Sequence, residues 1–237
     1  MSHSILPSGH EEDGVRDEPI QVPSQADILR GDLSIPNGAS GLIIFAHGSG
    51  SSRFSSRNRF VAKVLQHGGC ATLLLDLLTP TEELVDMRTR EHRFNIGLLA
   101  ARVASAINWA RHNERTSSLP VGLFGASTGA AAALLAAARG GDGVRAVVSR
   151  GGRPDLAGAS LGDVTAPTLF IVGENDPEVL RLNRMAQSVM QAPTDLVVIQ
   201  GASHLFEEGD TLEQAAVAAR DWFVRWLPIG DAVTQPR

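Results

Sequence analysis

Residues 119–139 read LPVGLFGASTGAAAALLAAAR, and this stretch decides the fold. Leu119–Phe124 is an apolar run without polar alternation, the pattern of a strand buried on both faces. From Thr128 to Arg139 the chain is alanine-rich, as suits a helix that packs close to a sheet. Between them Gly125-Ala126-Ser127-Thr128-Gly129 spells G-x-S-x-G at a strand-to-helix turn, the setting in which that motif presents a serine hydroxyl above a sheet. The flanking glycines leave no side chain where the chain folds back on itself, and the helix N-terminus brings partial positive charge to the serine. The plainer alternative is a serine that only caps the helix.

Working outward, the same alternation repeats. Ile20–Val22 and Asp27–Leu33 read as short edge strands, and Gly41–Ala46 (GLIIFA) and Cys70–Leu75 (CATLLL) as buried strands. Val144–Ser149, Pro167–Val172 and Leu196–Ile199 extend the series. Helical patterns run from Arg59 to Gln66, from Phe94 to His112, and from Pro177 to about Met190. A last helix starts at Asp210, whose spacing to Glu213 matches a capping box. Asp76–Glu91 reads as a polar connector. The organisation expected is a leader at 1–17, disordered by composition, one α/β domain at 18–228, and a tail at 229–237. Strands alternating with helices predict a mostly parallel sheet covered on both faces. Ligands of such sheets lie beyond the carboxyl ends of the strands.

The residues at those ends carry the chemistry. A serine hydroxyl needs a base to become a nucleophile. Of seven histidines, His204 follows the last strand, in Gly201-Ala202-Ser203-His204-Leu205. Strand Pro167–Val172 ends in Gly173-Glu174-Asn175-Asp176-Pro177, which makes Asp176 the carboxylate expected to orient His204, with Glu174 its rival; an aspartate before a proline is also a good N-cap. The oxyanion hole calls for two backbone amides. Thr128 supplies one, and the loop His47-Gly48-Ser49-Gly50 supplies the other, through Ser49 or alternatively Gly50, with His47 holding the loop. Arg53, Arg57, Arg59, Arg150 and Arg153 also follow strand ends. All five are candidates for binding an anionic substrate group, against the simpler role of tying loops to carboxylates such as Asp76 or Asp155.

Composition excludes several classes. Net charge is −5, with 43 % hydrophobic and 20 % charged residues, which argues for a globular chain and against nucleic-acid binding. The single cysteine, Cys70, rules out a disulfide framework and a cysteine-rich zinc site. No apolar run is long enough to span a bilayer, and residues 1–19 lack the apolar core of a secretory signal. The expectation is a cytoplasmic protein without membrane or nucleic-acid partners, monomeric or homodimeric.

FAHGSGSSRFSSRNR, GASTGA, IVGENDPEV and GASHLFEE, in that order, resemble the α/β-hydrolases, and within them the small, lidless dienelactone-hydrolase-like branch. The resemblance spans residues 19–227. It implies an eight-stranded, mostly parallel sheet whose second strand is antiparallel, with a Ser-His-Asp triad of Ser127, His204 and Asp176 above it. Dienelactone hydrolases proper use a cysteine nucleophile, whereas this elbow holds Ser127. The seventeen residues from Arg150 to Ala166 leave no room for a large cap domain. The expected activity is hydrolysis of small carboxylic esters or thioesters through an acyl-serine, with no cofactor and no metal. The alternatives are lactone hydrolysis, an acyltransferase or peptidase on the same triad, and a non-catalytic binding module.

Overall fold

The computed structural model describes residues 16–140 and 143–227. Strands β1 (Glu18–Ser24), β2 (Asp27–Ser34) and β3 (Leu42–Ala46) come first, then α1 (Ser56–His67), β4 (Ala71–Leu75), α2 (Pro80–Thr89), α3 (Ile96–His112) and β5 (Val121–Ala126). They are followed by α4 (Thr128–Gly140), β6 (Ala146–Arg150), a 3-10 segment (Pro154–Asp163), β7 (Thr168–Gly173), α5 (Pro177–Val189), β8 (Thr194–Ile199) and α6 (Thr211–Trp226).

The strands form one sheet in the order β1-β2-β4-β3-β5-β6-β7-β8. β2 runs antiparallel to both neighbours and the pairs from β4 to β8 are parallel. β3, β4, β5, β6 and β7 are buried along their whole length, which is why they read as unbroken apolar runs. One face packs on α3, α4 and the 3-10 segment through Leu99, Val103, Leu134 and Leu161. The other packs on α1 and α6 through Val61, Leu65, Ala216 and Phe223. Each fully buried Leu, Ile or Phe contributes about 1.5–3 kcal/mol. From β3 the chain crosses to β4 on one side and then to β5 on the other. The carboxyl ends of β3 and β5 therefore open a crevice at the switch point.

Four local readings are corrected. β2 is not an edge strand, because β4 pairs with its second edge. α1 begins before Arg59, where Ser55 accepts the Asn58 N–H as N-cap. The connector at 76–91 contains α2, started by a reciprocal capping box between Thr79 and Glu82 with Pro80 in the first turn. The Asp210–Glu213 box does not form, since Asp210 makes no side-chain cap bond and instead accepts from the Gln214 side chain at 2.9 Å. Arg16 and Asp17 apart, the leader lies outside the described residues, as does the tail at 229–237. Among the described residues no helix is long and apolar enough to cross a membrane.

Candidate active site

Ser127 joins β5 to α4 with φ of +51°. A left-handed backbone costs a non-glycine residue about 1–2 kcal/mol, so its surroundings must hold it. Its N–H donates to Arg150 O at 3.2 Å, and its carbonyl accepts from Ala130 N–H and Arg153 N–H, both at 3.1 Å. A methyl on Gly125 would lie 2.4 Å from Ala130 Cα, and one on Gly129 would lie 2.2 Å from Ala46 O. The two motif glycines are thus required by close approach rather than by torsion. The side chain of Ser127 stands half-buried at the carboxyl end of β5.

The structure brings His204 and Asp176 together: Nδ1 lies 2.6 Å from Asp176 Oδ2. Asp176 occupies the N-cap position of α5 but makes no side-chain cap bond, and among the described residues its carboxylate bonds only to the imidazole. With Nδ1–H donated to the carboxylate, Nε2 is left as the acceptor, the tautomer a general base needs. Glu174, the rival, accepts Gly201 N–H at 3.0 Å and so anchors the His204 loop. Asn175 adds two bonds to that loop, N–H to Ala202 O and Nδ2 to Gly201 O, both 2.9 Å. Among the described residues no hydrogen bond joins Ser127 Oγ to His204. The ring instead faces Gly151, where a methyl would sit 3.6 Å from Cε1 and Nδ1. Such bonds commonly tighten only once substrate is bound.

The oxyanion candidates also converge. Ser49 Oγ lies 2.9 Å from Thr128 Oγ1, joining the loop after β3 to the first residue of α4. His47 holds that loop from below. Its Nε2 accepts Leu77 N–H at 3.0 Å, which leaves Nδ1–H to donate to Gly48 O at 2.9 Å. Burial lowers its pKa from 6.5, favouring this neutral form.

The arginines divide. Arg53 pairs with Asp76 through both backbone and side chain, and Arg153 makes a bidentate pair with Asp155 at 2.7 and 2.8 Å. Arg59 binds Asp32 at 2.6 Å and Arg57 binds Glu207 at 2.7 Å. These four are engaged in tying loops to carboxylates. Of the five, Arg150 is buried and has no carboxylate partner among the described residues.

A cleft of about 410 Å³ abuts Ser49 and Thr128 and is lined also by Leu77, Met87 and Arg93. Its α2 wall escaped the sequence reading. There Asp86, buried, accepts the N–H groups of His92 and Arg93 at 2.9 Å and Arg93 Nε at 2.6 Å. The signal was the capping box at Thr79–Glu82. A larger groove of about 940 Å³ beside α1 is lined by Arg59 but by neither oxyanion candidate, whereas the smaller cleft adjoins Ser49 and Thr128. Among the described residues no cluster of three or more His, Cys, Asp or Glu side chains is arranged to hold a metal ion.

Sheet order, elbow and loop placement define an α/β-hydrolase fold. The chain belongs to the dienelactone hydrolase family, which it matches over residues 35–227. It is 54 % identical to the dienelactone hydrolase of Anabaena variabilis, with a TM-score of 0.89 over 90 % of this chain and 99 % of that one. Est1E of Butyrivibrio proteoclasticus, at 16 % identity, shares the fold with a TM-score of 0.72 over 87 % of this chain and 98 % of its own. A Mycobacterium tuberculosis protein provisionally named a phosphoribosyl transferase is 56 % identical over 213 residues, 90 % of this chain. Those residues are 47 % of the mycobacterial protein, so the chain spans about half the length of this curated relative.

Proposed function

We propose that this chain is a serine hydrolase of small carboxylic esters or thioesters, acting in the cytoplasm on small molecules. The reading rests above all on the 2.6 Å bond between His204 Nδ1 and Asp176, taken together with the left-handed backbone of Ser127 at the end of β5. In this mechanism Ser127 Oγ attacks the acyl carbonyl while His204 Nε2 takes its proton. Asp176 holds the ring and stabilises the imidazolium. The amides of Ser49 and Thr128 receive the oxyanion, His204 protonates the leaving group, and water activated by His204 hydrolyses the acyl-serine. The cleft beside the oxyanion loop suits a short acyl or alcohol portion.

Family membership favours a second reading within the same chemistry, opening of a lactone ring. We assign the transferase name of the mycobacterial relative to the part this chain does not cover, because the hydrolase family match and the shared part each take up most of this chain.

The test is labelling with a fluorophosphonate probe, peptide mapping, and Ser127→Ala as control, followed by a panel of short esters, thioesters and lactones. Stoichiometric modification at Ser127, lost in the variant, is expected. Folded protein that stays unlabelled, or is labelled elsewhere, overturns the assignment.

A further inference from the structure

We propose that Arg150 is a positioning residue whose guanidinium, held between the rings of Phe124 and Phe206, sets the loop that carries His204. The inference rests on the hydrolase reading and adds to it a residue that acts through the base.

Arg150 is the last residue of β6, paired in register with Ala126. Alternation along the strand turns Ser149 toward α4 and Arg150 toward α1 and α6. The guanidinium carbon lies 5.8 Å from the ring centroids of both Phe124, on β5, and Phe206, on the His204 loop. Among the described residues the guanidinium makes one hydrogen bond, from Nη2 to Asn58 Oδ1, long at 3.4 Å, and Nη1 is buried with no partner. The residue is 8 % exposed. A buried cation without a carboxylate is costly, and an apolar side chain would fill the space more cheaply. Burial, with Arg57 nearby, pushes its pKa down to about 10, so it stays charged at neutral pH.

What the cation holds is the loop. Phe206, two residues after His204, is 2 % exposed and has φ of +56°, a conformation that a bulky residue keeps only when its surroundings impose it. The ring faces of Phe124 and Phe206 provide the attraction that clamps it. Through its backbone the same arginine reaches the other reacting groups. Its carbonyl accepts Ser127 N–H, and the next residue, Gly151, lies against the His204 ring. Arg57–Glu207 ties the loop from outside, but both side chains are solvated, so that tie is weak.

The experiment compares Arg150→Met, Arg150→Lys, Phe206→Leu and the Met/Leu double variant. kcat and KM on a short ester are measured, with hydrogen exchange of residues 201–209. For Arg150→Met, kcat should fall about 10- to 100-fold, the effect of a base misplaced by about an ångström, with KM unchanged. Arg150→Lys should recover part of the loss, and the double variant should be no slower than the slower single. Exchange should accelerate in 201–209 while β5 and α4 stay protected. Wild-type kcat and exchange in Arg150→Met, or multiplicative losses in the double variant, overturn the proposal. A raised KM with kcat intact would make Arg150 a substrate-binding group instead. Should Arg150→Met fail to fold, Arg150→Lys and Phe206→Leu decide the question by the same readouts. Exchange measured in a Ser127→Ala background tests the hold on the loop even if the hydrolase reading fails.

Discussion

Replacing Gly129 by alanine should damage both catalysis and stability, and the structure sets the scale of each. The added methyl falls 2.2 Å from Ala46 O and 2.4 Å from His47 O. A carbon rests against a carbonyl oxygen at about 3.3–3.6 Å, so the backbones must part by about 1 Å. Both obstacles are main chain, so no rotamer change relieves them. Either the first turn of α4 lifts from β3 or the end of β3 is pushed aside. One carries Thr128 and the other leads to Ser49, so either movement separates the two amides that are to share an oxyanion. The expected loss in kcat/KM is about 100-fold, with about 1–3 kcal/mol of stability. Gly140→Ala, at the far end of α4 with nothing within 4 Å, is the control. It should leave activity intact and gain up to about 1 kcal/mol from helix propensity. Urea midpoints and initial rates on a short-chain ester read both effects. A Gly129→Ala protein with wild-type midpoint and kcat/KM would refute the close-approach argument and, with it, the pairing of Ser49 and Thr128.

Three further outcomes can be measured on the same protein. Asp176→Asn keeps the shape of the site but no longer fixes the His204 tautomer, and kcat should drop roughly 10⁴-fold; a loss below tenfold would point to a different orienting carboxylate. His47 is held neutral when folded, whereas in the unfolded chain it titrates near 6.5. Its contribution is therefore complete above about pH 6.5 and declines as pH falls toward the lowered folded value. Urea midpoints of wild type should drop more steeply between about pH 7 and 5 than those of His47→Gln, and parallel curves would remove His47 as the cause. Burial raises the Cys70 thiol to about 11, so native protein at pH 8 should resist iodoacetamide until urea is added, and alkylation at the unfolded-chain rate would contradict that burial.

What the sequence discloses depends on how local its cause is. The strands were legible because a segment buried on both faces needs apolar residues throughout, as in LIIFA at β3. The elbow was legible because Gly125, Ser127 and Gly129 answer to contacts within a few residues or with the adjacent strand. His204 and Asp176 are 28 residues apart, yet parallel topology sends the ends of β7 and β8 to one edge, and position in the strand series was enough to single them out. α2 was missed because it has no apolar stripe to read. It exposes Leu84 and Met87 and is tied down by Glu82 to Arg102 at 2.8 Å and Asp86 to Arg93 at 2.6 Å. Its only signature was the box at its start.

The arginines mark the boundary of such reading. Arg153 finds Asp155 two residues away, and that pairing was visible beforehand as the simpler alternative. Arg150 differs from it by its parity on β6 and by Phe206, which is 56 residues distant and folds down over the sheet only because the last loop returns there. No pattern in either segment requires the other. The aromatic clamp exists only once β6 and the His204 loop have been brought to the same edge. A residue that acts by holding a loop is therefore disclosed by tertiary structure, whereas one that acts by its place at a strand end is disclosed by order alone.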